Sequence, residues 1–349
     1  MSVTQVTIVN SATDIDGMTI DGTINSIKGS SGQDTVILGS GGSLSVSSVE
    51  TIVGSTDADA ITLLNAGTVS ISRIETITGS AGTNQVNLLS PLTGNLTIDL
   101  IETVVGTTGT GETLELSTNT AALSISRIES VIGSTTAETV TMLGAGTLNI
   151  SDVDSVVGST GTDILRLDNA STGLEISSIE TVIGTTGTDA VTLATAGAVS
   201  VDKFETIVST AGVNTVTLLN ALTGTVNVDG VETLIGSGGA DTVQIVSAPA
   251  STIRISGIES IIGTTGTGDI VYITSAGNVE TSSIESLVGT TAVEVVTMAS
   301  AQTNLAVSSI DTVIGSTTTD GVQMLSSGVL SVSGLGTVIG TASTTDRLT

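Results

Sequence analysis

The chain contains no Cys, His or Trp, one Tyr (Tyr272), one Phe (Phe204) and two Pro (Pro91 and Pro249). Without Cys there is no disulfide framework, thiolate metal site or thiol nucleophile. The lack of His excludes Ser-His-Asp and Cys-His machinery and His-ligated zinc. With two aromatics in 349 residues, a platform for stacking on sugar rings has almost nothing to be built from. Bases are equally scarce. Seven Lys and Arg face 34 acids, for a net charge of −27. Such a surface repels phosphate backbones and anionic lipid, so nucleic acid is not expected as a partner and cations are. Long apolar runs are missing too, because Thr, Ser or Gly interrupts every stretch, so no membrane insertion is expected. The first residues, MSVTQVTIVN, have neither the basic start nor the apolar run of a secretory signal peptide.

What the chain does have is one unit repeated from end to end. Its clearest copy is SIETVIGTTGTDAVTLATAGAVSVDK, Ser178 to Lys203. The apolar residue that opens each copy recurs from Ile24 and Val49 to Ile310 and Leu335 in steps of 25–27 residues. Fixed-period similarity over a whole chain indicates a stacked array and overrides a length-based expectation of two or three domains. Each copy holds three short β-favouring runs, Glu180–Ile183, Ala190–Leu193 and Ala198–Val201 in the clearest one, separated by Gly-, Thr- and Asp-rich turns. Val191 and Leu193, then Val199 and Val201, alternate with polar residues and point to one side. Three strands and three corners per copy predict an all-β, parallel, triangular β-solenoid. It would have about 13 coils of 25–27 residues, each strand pairing with its equivalent one coil away. The array is expected to be a single domain over 1–349, with partial coils at 1–23 and 335–349. Adjacent apolar pairs such as Val182–Ile183 and Val131–Ile132 are read as a local bulge, or else as an outer apolar stripe.

Two columns of acids run through the copies. One follows the opening apolar residue, as in Glu50, Glu75, Glu180 and Glu205; the other ends the Gly-rich corner, as in Asp34, Asp59, Glu112, Asp163 and Asp189. If equivalent strands stack, like charges stand about 5 Å apart along each column. Each neighbouring pair then repels by about 1 kcal/mol in water. Carboxylates, turn carbonyls and no soft ligand point to Ca²⁺ as the offsetting partner, with Asp34, Asp59, Asp163, Asp189, Asp241, Asp269 and Asp320 as its ligands. The alternative is a corner Asp that caps its own turn. For the Glu column a solvated ladder is expected.

The corners GSSGQD (Gly29–Asp34), GSTGTD (Gly158–Asp163), GTTGTD (Gly184–Asp189) and GSGGAD (Gly236–Asp241) resemble the repeats-in-toxin motif of secreted and surface-layer bacterial proteins. That resemblance implies Ca²⁺ held by Asp and turn carbonyls, and export without an N-terminal signal, to the cell surface or beyond. It covers about a third of each copy. The motif recurs once per copy and not as tandem nonapeptides, which argues against that family's two-sided roll.

No carboxylate pair is distinguished from the others, and an enzyme is not expected. The chain begins and stops in mid-coil, and its two partial coils are complementary. That gives either head-to-tail self-assembly or an excerpt of a longer array. The functional expectation is an extracellular structural protein, a Ca²⁺-stabilised subunit of a filament, surface layer or biofilm matrix. Its partner would be itself, with a cell-surface polysaccharide left open as a second. An adhesin stalk or an ice-binding module of a larger secreted protein is the alternative.

Overall fold

The computed structural model describes residues 6–7, 18–20, 24–118, 120–210, 212–222, 224–247 and 252–349. Apart from the short strands Val6–Thr7 and Met18–Ile20, the partial coil expected over 1–23 lies outside the described residues. Contacts divide the chain into two units, Met1–Asn169 with Leu174–Ile179, and Ala170–Gly173 with Glu180–Thr349. Both are β-solenoids made of short parallel strands, with no helix among the described residues.

In the second unit the clearest copy forms an opening strand Thr181–Ile183, a middle strand Ala190–Leu193 and a closing strand Gly197–Asp202. These lie within a residue or two of the runs read from the sequence. Val191, Leu193, Val199 and Val201 are buried as their alternation predicts. The pairing differs from expectation. The opening strand pairs with the closing strand of its own copy, Val182 opposite Val201, and that closing strand pairs with the next copy's middle strand, Val199 opposite Val216. The middle strand pairs with the next copy's opening strand, Val191 opposite Ile207. Strands therefore alternate between two sheets and a coil contains two of them, not three. Paired residues lie 16 apart at Thr35↔Thr51 and 21 apart at Thr103↔Ser124.

The coil is thus two-sided, and the triangular coil of 25–27 residues is corrected to a shorter one. The physical reason is that two sheets packed face to face bury every inward side chain with a single layer of contacts, and three short strands per copy do not have to close a triangle. One copy makes one and a half turns. Successive copies consequently place the same strand type in opposite sheets, and identical strands recur in one sheet only every third coil.

In the first unit, one sheet runs from Ser26–Lys28 through Gly42–Ser47, Asp59–Leu63, Thr76–Thr78, Asn95–Asp99, Thr113–Leu116, Ser130–Ile132 and Gly146–Ser151 to Asp163–Leu167. The other runs from Thr35–Leu38 through Thr51–Val53, Gly67–Ser72, Asn84–Leu88, Thr103–Val105, Ala122–Ser126, Thr139–Met142 and Ser155–Val157 to Leu174–Ser177. The core is a row of Val, Ile and Leu between the sheets. Ile52, Val104 and Val156 at the centres of opening strands are 0% exposed. Each such side chain contributes about 1.5–3 kcal/mol by leaving water. The adjacent apolar pairs do not mark bulges. Val182 is buried, Ile183 is half-buried on the outer face, and the register around them is regular. The outer apolar residues do not merge into a continuous stripe either: Ile37 pairs with Val53, but Val105 sits between Asn87 and Ser126, and Val157 between Thr141 and Ser177. The extra residue in Gly106–Glu112 lies in a turn between strands Thr103–Val105 and Thr113–Leu116, as its sequence position predicts.

Candidate functional site

The Gly-rich corner turns the chain from an opening strand into a middle strand. Its last residue, expected as a cation ligand, points inward. Asp34, Asp59, Asp163, Asp189, Asp241, Asp269 and Asp320 are all at most 1% exposed. In all seven one carboxylate oxygen accepts the backbone N–H of the Ser or Thr four residues earlier, or five at Thr264–Asp269. The N···O distance is 2.6 Å for Ser55–Asp59, Ser159–Asp163, Thr185–Asp189 and Ser237–Asp241, 2.7 Å for Thr264–Asp269 and 2.5 Å for Ser316–Asp320. Asp34 accepts from Ser30 in the same way. The hydroxyl of that Ser or Thr donates to the same oxygen and accepts the N–H two residues on, as Ser159 does from Gly161. The second oxygen reaches the preceding coil. Asp163 accepts from Gly146 N–H at 3.1 Å, Asp189 from Ser171 at 2.8 Å, Asp241 from Leu222 at 3.1 Å and Asp320 from Gln302 at 2.8 Å.

The Glu column completes the arrangement from the following coil. Each Glu turns its carboxylate onto the backbone N–H of the corner acid, Glu50 to Asp34, Glu75 to Asp59, Glu205 to Asp189, Glu259 to Asp241 and Glu285 to Asp269, all at 2.8 Å. The carboxylate supplies the acceptor that the sheet ladder lacks where the chain turns. The Glu residues are therefore caps and not a solvated ladder. Because the coil is two-sided, acids of one column recur on an edge only every third coil, about 14 Å apart at normal strand spacing. At three times the spacing, the repulsion within a column falls to about a third of that expected from stacking every coil. Sequence reading missed the capping because the partner lies 16–18 residues away and only the pairing register brings the two together.

Two uncharged substitutes show what the corner requires. Asn84 and Asn214 occupy it with neutral amides. Asn84 donates to the carbonyls of Ser80, Gly82 and Leu100 at 2.9, 3.0 and 3.1 Å, while Asn214 accepts Gly197 N–H at 3.0 Å. A neutral side chain that satisfies the turn suffices there.

This donor set bears on the expected Ca²⁺. The ion takes six to eight converging oxygens. At Asp163, Asp189, Asp241 and Asp320 both carboxylate oxygens already hold N–H or O–H donors, and among the described residues no three acids come together as a metal cluster. One buried oxygen of Asp59 lacks a hydrogen-bond partner, as does one each of Glu112, Glu138 and Glu294, where a longer side chain replaces Asp. These are single oxygens. At the four corners of Asp163, Asp189, Asp241 and Asp320 the carboxylates are already taken up by N–H and O–H donors.

Titration follows from the same bonds. Burial pushes Asp320 up, but the N–H groups of Thr317, Gln302 and Ser316 outweigh it and hold its carboxyl below the usual Asp range. A lowered folded-state pKa gives stability that is present above the unfolded value and lost as pH falls through the folded one. Asp320→Asn is expected to flatten the acid limb of the second unit's stability curve, read by circular dichroism between neutral pH and strong acid. Glu112 and Glu129 behave differently. Burial, the hydrogen bond to Glu112 and its charge push Glu129 up, whereas at Glu112 burial is outweighed by hydrogen bonds from Glu129 and Thr107, which hold it down. The Glu129 contribution is present at low pH and lost as pH rises through its raised value. Glu129→Gln keeps an acceptor for the N–H groups of Gly111 and Glu112, both at 3.0 Å, and removes the like charge. It is expected to raise thermal stability at neutral pH. Glu205→Ala, by contrast, should speed hydrogen exchange at the Asp189 amide at a cost of about 1–2 kcal/mol, with Glu205→Gln close to wild type.

Surface concavities repeat with the fold. A groove of about 550 Å³ beside Phe204 is lined by Thr185, Lys203, Glu205 and Ala221, and one of about 280 Å³ by the matching Ser30, Ser48, Glu50 and Ala66. Both lie where the three kinds of corner stack, so neither is singled out chemically. No protein-family model, curated protein or solved structure matches this chain.

Proposed function

We propose that this chain is a structural protein of the cell surface or extracellular matrix, a β-solenoid that acts through its surface by associating with itself and not through a reactive site. The observation that carries the reading is the uniformity of the corners. Among the described residues, corner after corner is closed by the same inward acid and the same Glu cap. Export rests on the resemblance of Gly158–Asp163 and its counterparts to secreted repeat proteins. The acids serve as hydrogen-bonded caps, so the fold is expected to form without Ca²⁺.

The test is circular dichroism and negative-stain electron microscopy of the purified chain, with Ca²⁺ and with chelator. A folded chain under both conditions that forms ordered assemblies is the expected result. A chain that unfolds in chelator would return the corner acids to a metal-binding role. A folded monomer at every concentration would overturn the self-associating structural reading.

A further inference from the structure

The half-turn offset between copies sorts residues onto the two faces of the first unit. The outward residue next to the last of each middle strand reads Thr62, Glu115 and Arg166, all exposed, on one sheet and Ile37, Asn87 and Thr141, all half-buried, on the other. The first sheet also carries Lys28 and Asp99. On the second, eight successive strands from Thr35–Leu38 to Ser155–Val157 contain no charged residue at all. The ninth strand, Leu174–Ser177, ends this stretch with the exposed Glu175. In a chain of net charge −27 this leaves an eight-strand neutral face, with most acids gathered at the coil corners.

We infer that this uncharged face of the first unit is the surface through which two copies of the chain pack against each other, an inference that rests on the self-association proposed above. Charge decides the partner. Two copies approaching through the acidic corners or the charged sheet must strip water from ions, which opposes association. Face to face through the neutral sheet, they bury none. Ser and Thr hydroxyls both donate and accept, so a hydroxyl-rich face is complementary to itself. Val53, Val105 and Val157 add apolar area at every third strand. The remaining repulsion comes from acids at the corners, and salt should weaken it as the Debye length falls from about 30 Å at 0.01 M to about 3 Å at 1 M.

The experiment compares the full chain with two double variants by sedimentation velocity across that salt range, with circular dichroism as the folding check. Asn87→Glu with Thr141→Glu charges the neutral face, and Thr62→Glu with Asn149→Glu adds the same charge to the opposite sheet. Wild type should associate more strongly as salt rises, the first variant should lose on the order of tenfold or more in affinity, and the second should stay close to wild type. Equal loss in both variants, or none in either, would overturn the face assignment while leaving self-association intact. A wild-type monomer at every salt concentration would overturn both. Inhibition of ice growth by a monomeric wild type, abolished only by the first variant, would make ice the occupant and also overturn the inference.

Discussion

Asp163→Ala is expected to destabilise the first unit by about 3–5 kcal/mol, because it leaves buried donors without their acceptor at about 1–3 kcal/mol each. Three donors converge on that carboxylate, Ser159 N–H at 2.6 Å, Ser159 hydroxyl at 2.9 Å and Gly146 N–H at 3.1 Å. Alanine leaves them facing a cavity closed to water, since Asp163 is 0% exposed. Asp163→Asn should cost only about 1 kcal/mol, because one amide oxygen still accepts and Asn84 and Asn214 already stand at equivalent corners. Urea denaturation followed by circular dichroism, with hydrogen exchange at Ser159 and Gly146, separates the two. If alanine and asparagine cost the same, the corner acid is not held by these bonds.

Gly158→Ala is the second large effect, and its reason lies in the coil above. Ser178 sits in the left-handed region at φ 54°, which turns its carbonyl down onto Gly158. A Cβ on Gly158 would stand 1.9 Å from that oxygen, as one on Gly54 would stand 1.7 Å from the carbonyl of Arg73. Both contacts are with backbone, so relief requires the coils to part, at a cost of about 2–4 kcal/mol. The corner that has Ser209 in place of this glycine faces Gly230, another left-handed residue at φ 65°. Gly146→Ala is the control. A Cβ there meets nothing within 4 Å, so the change should be neutral or stabilising by about 0.4–1 kcal/mol. Melting temperatures of the two variants test the claim, and a Gly158→Ala protein as stable as Gly146→Ala would refute the close approach.

Much of the fold was legible in the residues. The alternation of Val191 and Leu193, or Val199 and Val201, placed strands and their inward faces, because a pleated strand shows its burial at period two. The Gly-rich corners and their insertions were legible through turn chemistry. The triangular coil was not legible, because a repeat reports what recurs along the chain and not how many turns it makes. Three strands per copy are compatible with one turn of a triangle or with one and a half turns of a two-sided coil, and only pairing such as Val182 with Val201 decides. The two acid columns were visible, but the bond from Asp189 N–H to Glu205 was not, since it joins residues in different coils.

By itself the sequence determined that the chain is a parallel β-array with an apolar interior and acids in two columns, because periodicity, β-propensity and charge are properties of local composition. The tertiary structure decided what the acids do and where the charge goes. Two-sided winding sets corner acids against the capping Glu of the next coil, keeps acids of the same column three coils apart and sorts alternate copies onto opposite faces. Those outcomes depend on register between strands distant in the chain, and register is settled by packing and by the backbone groups that each turn must satisfy.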